Sequence, residues 1–304
     1  MSCLFLAALL CMPADSLASG DHEQTVPVGT RVRKYLVHVP QLERPPARWP
    51  LVVCFHGGGS NPQQMIDFTG LNEVADQHGF VVVYPAGTGI IDSALTWNAG
   101  NCCGRALRDK VDEVAFVTAL LDDLEKKLPV DTARVYATGM SNGAMMSYLV
   151  ADKLSERFAA IAPVGGPMGS ETCAPTKPVP VIHFHGTADE FASYKGGIGR
   201  RSLTKTNFYS VEHTLQQWVA ANRSVTKPKV DTIPGENDDG TRIVRYTYAA
   251  SNEQPSAEVI HYKIEGLGHT WPGRESRFKA LGKTTKNIDA SEVMWAFFAR
   301  HTRT

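Results

Sequence analysis

Short, uninterrupted apolar runs alternate along this chain with stretches of helical periodicity, and that alternation narrows the possible folds more than any other feature. The runs lie at 51–55, 80–84, 134–138, 158–164, 179–184 and 259–264. Rich in Val and Ile and bounded by Gly and Pro, they read as strands buried on both faces. An earlier segment, 31–39, spaces Val32, Tyr35, Val37 and Val39 as a half-exposed strand does. Helical patterns occupy 70–77, 112–128, 142–154, 210–222 and 290–300. The second of these sets Val114, Phe116, Val117, Leu120, Leu121 and Leu124 on one face. Strands and helices in this alternation predict an α/β fold with a mostly parallel central sheet and helices on both faces.

The polar stretch 235–241 predicts a hairpin turn between strands at 229–233 and 243–248, not a domain boundary. No repeat, low-complexity tract or linker divides the chain, so a single catalytic-size domain is expected over 21–304, with no room for an added binding module. The 31 Lys and Arg are balanced by 31 Asp and Glu. A neutral chain lacks the basic surface that a nucleic acid or an anionic membrane would require.

The first residues hold an apolar run from Cys3 to Met12, then small residues at Ser16, Ala18 and Gly20. The run is too short to span a bilayer and has the form of a signal-peptide core, although no Lys or Arg precedes it. Removal of residues 1–20 and secretion, extracellular or periplasmic, are expected. Cys54, inside an apolar run, reads as a small buried hydrophobe. Cys102, Cys103 and Cys173 sit in loop-like sequence, and an exported chain is expected to join Cys173 to one of the adjacent pair. No Cys-x-x-Cys or neighbouring His spacing points to a metal.

The strongest local signal is Gly139-Met140-Ser141-Asn142-Gly143, placed between a strand and a helix. A tight strand-to-helix turn needs small residues beside the serine and lifts its Oγ above the carboxyl edge of the sheet. The bland alternative is a serine N-cap between glycines. Because a serine attacks at neutral pH only when a base takes its proton, a His and an acid should follow at other strand ends. Asp189 follows the run 179–184 and His269 follows 259–264, in the order serine, acid, histidine that this architecture uses. Glu190 is the alternative acid. His183 and His185, an H-x-H pair, lack a third motif-linked ligand and read as sheet or turn residues. For the oxyanion, the backbone amides of Asn142 and of Gly58, in the glycine run Gly57-Gly58-Gly59, are the expected donors, with His56 bracing the loop.

These blocks resemble the secreted polyhydroxybutyrate-depolymerase-like and feruloyl-esterase-like branch of the α/β-hydrolases. The resemblance rests on His56–Gly59, Trp97-Asn98 with Cys102-Cys103-Gly104, Val111–Phe116, Gly139–Gly143, His185–Asp189 and Gly268-His269-Thr270-Trp271-Pro272-Gly273. They occur in the family's order from about Arg33 to His301. The resemblance implies an α/β-hydrolase fold, no metal or organic cofactor, and carboxylic-ester hydrolysis by Ser141, Asp189 and His269. It leaves feruloyl, acetyl-xylan and hydroxyalkanoate esters open.

The segment 88–110 is long enough to arch over the active-site edge. Trp97, Asn98, Trp271, Phe191 and Tyr194 are the candidate substrate-binding residues, and their aromatic rings favour a cinnamoyl-type or other small carbohydrate-linked ester. Hydroxyalkanoate oligomers are the alternative substrate; a serine peptidase or a non-catalytic binding protein of the same fold is the alternative function. The expected partner is the ester substrate alone, with no nucleic acid and no stable membrane association.

Overall fold

A computed structural model describes residues 16–276 and 278–303. The apolar run at 3–12, and most of the leader read from it, lie outside the described residues. The first described strand, β1 (Gly20–Val28), forms a hairpin with β2 (Arg31–Val39). After β3 (Trp49–Phe55) come helices α1 (Pro62–Thr69) and α2 (Leu71–His78), then β4 (Val81–Pro85). The segment that follows folds into two-residue strands β5 (Thr88–Gly89) and β6 (Leu95–Thr96) and a short helix α3 (Gly104–Arg108). The long helix α4 (Glu113–Lys127), strand β7 (Val130–Met140), helix α5 (Asn142–Lys153) and strands β8 (Ala160–Val164) and β9 (Val181–Gly186) complete the middle of the chain. Helix α6 (Val211–Ala221), strands β10 (Lys229–Ile233), β11 (Arg242–Tyr248) and β12 (Val259–Glu265), and helix α7 (Ala290–Phe298) close it.

The ten strands of the main sheet are ordered β1-β2-β4-β3-β7-β8-β9-β12-β11-β10. From β4 to β12 the neighbours run parallel, and an antiparallel hairpin flanks each edge. Alternate residues of each central strand enter opposite cores, as the period-two geometry of a strand requires. Leu51, Val53 and Phe55 of β3 pack with Phe116, Leu120 and Leu124 of α4, Met145 of α5 and Trp218 of α6. Val52 and Cys54 pack with Met65 of α1, Val74 of α2 and Met294 and Phe298 of α7. Helices therefore cover both faces, and the continuous apolar runs follow from that double burial.

The parallel strands all point their carboxyl ends at one edge, and the loops leaving β3, β7, β9 and β12 meet there. Backbone bonds tie these loops together: Thr187 N–H donates to Ile264 O and Ala188 N–H to Leu267 O, each at 3.0 Å, while Ser141 N–H donates to Val164 O at 2.9 Å. No helix among the described residues is long and apolar enough to cross a membrane.

Candidate active site

Ser141 sits where β7 turns into α5, with φ 59° and ψ −117°, a left-handed backbone that a non-glycine residue adopts only under strain. The strain is held by close packing. A Cβ on Gly143 would collide with the carbonyls of Phe55 and His56 at the end of β3, and one on Gly139 would lie 2.5 Å from Gly143 O. Glycine on both sides is thus a steric requirement of bringing the β3 end against the turn. Ser141 is partly exposed while Met140 and the first helical residues behind it are buried, so the turn lifts its side chain out of the core. The serine N-cap reading lacks its hydrogen bond: Ser141 makes no side-chain cap to the helix.

Asp189 and His269 arrive from the carboxyl ends of β9 and β12. His269 Nδ1 lies 2.6 Å from Asp189 Oδ2. Asp189 Oδ1 accepts from the amides of Phe191 at 2.8 Å and Ala192 at 2.9 Å. Burial alone would raise the Asp189 carboxyl, but His269 and His185 against it, through their charge and their hydrogen bonds, hold it well below the usual carboxylate range. It is a carboxylate at neutral pH, with one oxygen committed to the turn and the other to the imidazole. Glu190, by contrast, points outward to Arg200 and Arg201.

The glycine turn after β3 lies alongside Ser141. A Cβ on Gly57 would stand 3.7 Å from Ser141 Cβ, and one on Gly58 would stand 3.5 Å from Asn142 Cβ. The Gly58 amide has no hydrogen-bond partner among the described residues. His56 is fully buried and spans the loop: its Nδ1–H donates to Gly57 O at 2.8 Å, and its Nε2 accepts from Gly87 N–H at 3.0 Å. Both nitrogens are committed, and burial draws its pKa down to about 4.

The tertiary structure redistributes the candidate pocket residues. Trp97 is fully buried, not a pocket wall. Its amide donates to Asn142 Oδ1 at 2.8 Å, its carbonyl accepts from Asn142 Nδ2 at 3.3 Å, and its indole N–H donates to His56 O at 2.9 Å. It ties the end of β3 to the start of α5. Asn98 is spent on the same loop, donating to Val111 O, while its amide donates to Glu113 Oε1. Trp271 is also fully buried, with its indole N–H on Ser291 Oγ of α7. Tyr194 lies in the core with its hydroxyl on His261 Nε2 at 3.0 Å. Of the aromatic candidates only Phe191 faces the site, stacked on the His269 ring with centroids 5.1 Å apart.

The cysteine expectation needs correction. The sulfurs of Cys102 and Cys103 lie against each other, and Cys173 is unpaired. The sulfurs of the pair face Thr204, whereas Cys173 lies beside Asp152 at the end of α5, where burial first and the carboxylate second push its thiol up to about 12. Cys54 is buried as expected. Residues that sequence reasoning passed over include Glu113, buried in an ion pair with Arg33 at 3.0 Å, which anchors the loop carrying Trp97. Tyr148, whose hydroxyl lies 2.9 Å from His183, is another.

Fold and kinship place the chain among the carboxylic ester hydrolases of α/β-hydrolase type. It superposes on an acetyl xylan esterase of Aspergillus awamori with a TM-score of 0.62 at 17% identity, over 92% of this chain and 99% of the other. It is 30% identical over 73% of its length to the bifunctional acetylxylan esterase/xylanase XynS20E of Neocallimastix patriciarum, and 29% identical over 67% to feruloyl esterase B of Piromyces equi. The chain spans only 29% and 38% of those two proteins. Residues 34–226 match the family described as Esterase PHB depolymerase, and the chain belongs to that family. The match includes Ser141 and Asp189; His269 lies beyond it.

Proposed function

We propose that this protein is a secreted serine esterase that cleaves feruloyl or other small carbohydrate-linked esters through an acyl-enzyme. The observation that carries the reading is the convergence, at one sheet edge, of a serine on a strained turn with a buried carboxylate–imidazole pair. His269 takes the Ser141 proton as Oγ attacks the ester carbonyl. Asp189 fixes the imidazole with its proton on Nδ1, leaving Nε2 as the base, and stabilises the cation that forms. The amides of Asn142 and Gly58 receive the oxyanion. Protonated by His269, the alcohol leaves, and water then attacks the acyl-enzyme with the same imidazole as base.

Phe191 over the imidazole offers an aromatic face to an aryl acyl group, which supports the cinnamoyl-type reading. Membership of the depolymerase family supports a second reading, hydrolysis of hydroxybutyrate oligomers. A panel of methyl ferulate, acetylated xylan, 3-hydroxybutyrate oligomers and a peptide anilide, run beside Ser141→Ala, separates these. The substitution is expected to lower kcat by at least about a thousandfold on every ester cleaved. An undiminished rate would refute the mechanism, and peptide cleavage without ester cleavage would refute the class of substrate.

A further inference from the structure

Behind the acid lies a buried chain of polar groups that the ester-cleaving steps do not use. Tyr148, two turns into the helix that Ser141 opens, has its hydroxyl 2.9 Å from His183 Nδ1. His183 Nε2 lies 3.2 Å from His185 Nδ1. His185 Nε2 lies 2.8 Å from Ala192 O and 3.5 Å from Asp189 Oδ2. The chain thus begins on the nucleophile's helix and ends on the turn whose amides hold the acid. All three side chains are buried, with relative exposures of 1% or less.

The chemistry of the end groups gives this chain a direction. A carbonyl and a carboxylate only accept, so His185 Nε2 must carry a proton. Where His185 Nδ1 carries no proton, its lone pair receives the proton of His183 Nε2, and His183 Nδ1 in turn receives the tyrosine hydroxyl. Every donor then points toward Asp189. Burial favours the uncharged form of His183 and of its neighbour His261. His261, packed against His183, donates through Nδ1 to His183 O and accepts at Nε2 from Tyr194, and burial lowers both His183 and His261. The charged groups beyond are Glu212 and Lys263 around Tyr194, and the Cys173 thiol lies near Tyr148.

We propose that Tyr148, His183 and His185 are positioning residues for the acid of the triad. The directed chain clamps the Ala192 carbonyl, which fixes the two amides on Asp189 Oδ1, and sets an N–H beside Oδ2, so that the carboxylate stays aimed at His269. The inference rests on the triad assignment above. Without the clamp the carboxylate would couple less well to the imidazole, stabilising its cation less, and the base would be held less well for transfer.

The test measures pH profiles of kcat and KM on a soluble p-nitrophenyl ester for the unmodified enzyme, His185→Leu, His185→Gln and Tyr148→Phe, with thermal melts of each. In His185→Leu, kcat should fall about tenfold with KM nearly unchanged, and the acid limb should move to lower pH by roughly half a unit. His185→Gln, whose side-chain amide reaches where Nε2 stood and can donate to Ala192 O, should recover most of kcat and restore the limb. Tyr148→Phe removes one oxygen and should shift the limb in the same direction as His185→Leu by a smaller amount. If His185→Leu does not fold, Tyr148→Phe carries the test. An unmoved acid limb in a folded His185→Leu or Tyr148→Phe enzyme overturns the proposal, as does a Gln variant as impaired as the Leu variant. Failure of the triad assignment itself would appear separately, as a Ser141→Ala enzyme that retains activity.

Discussion

Asn142 links backbone chemistry to side-chain architecture within a single residue. Its amide follows Ser141 in the turn, where the proposed mechanism needs an oxyanion donor, while its side chain clasps Trp97 through both backbone groups. The five-residue motif around the serine marks the position of the amide, but the clasp joins residues 45 apart and has no local signature. Asn142→Ala would leave the buried Trp97 amide unpaired, a loss of about 1–3 kcal/mol. Steady-state kinetics should register this as a fall in kcat of about tenfold with a smaller change in KM, since the oxyanion forms only on the path to the tetrahedral intermediate. A variant that changes KM alone would place Asn142 in ground-state binding instead. Trp97 and Trp271 illustrate the same limit: aromatic residues near a motif can be read as pocket walls, yet each side chain is enclosed by contacts from elements distant in sequence.

Among the elements, β2 and α4 are joined through the buried Arg33–Glu113 pair, with the Arg33 guanidinium also 3.9 Å above the Phe116 ring. Glu113 receives the Asn98 amide as well, so the helix, the strand and the Trp97 loop share one carboxylate. Glu113→Ala should destabilise the fold by about 3–5 kcal/mol, because it strands a buried cation. Equilibrium unfolding in urea measures this directly; a loss below about 1 kcal/mol would mean that water reaches Arg33 freely. The central strands and α2, α4, α5, α6 and α7 were legible because double burial or one apolar face writes a periodic pattern. Strand β1 was not, since its outward hairpin position leaves most of its residues exposed or half-exposed and polar. Helix α1 was also passed over, although Asn61 as its N-cap and Pro62 at its first turn are helix-start signals; only Pro62, Met65 and Thr69 of it are buried, too few for a clear stripe.

For the whole molecule, the buried imidazoles tie stability to pH. His56 is drawn down to about 4 and His261 to about 3, and His183 is also lowered, in each case first by burial. These groups are neutral when folded but take up protons when unfolded as pH falls below their ordinary value of 6.5. Stability is therefore complete above that value and is lost progressively as pH drops toward their folded values, with His56 alone contributing about 3 kcal/mol by pH 4. Asp189, held low, acts in the same direction only below the ordinary carboxylate range, so the loss between pH 6.5 and 4.5 belongs to the histidines. Thermal melts should show Tm falling by roughly 10 °C between pH 7 and pH 5. A flat Tm over that interval would mean that the imidazoles are charged in the folded state.

The sequence by itself determined the layered α/β architecture and singled out Ser141, Asp189 and His269 as the proposed triad, because burial periodicity and strand-end turn chemistry are local and leave their pattern in consecutive residues. Only the tertiary structure decided which of the candidate aromatic rings are buried in the core and which one stacks on His269. It also decided which buried groups stand behind Asp189. Those assignments depend on contacts between strands and loops far apart in the chain, where a side chain's role is set by what the fold brings against it.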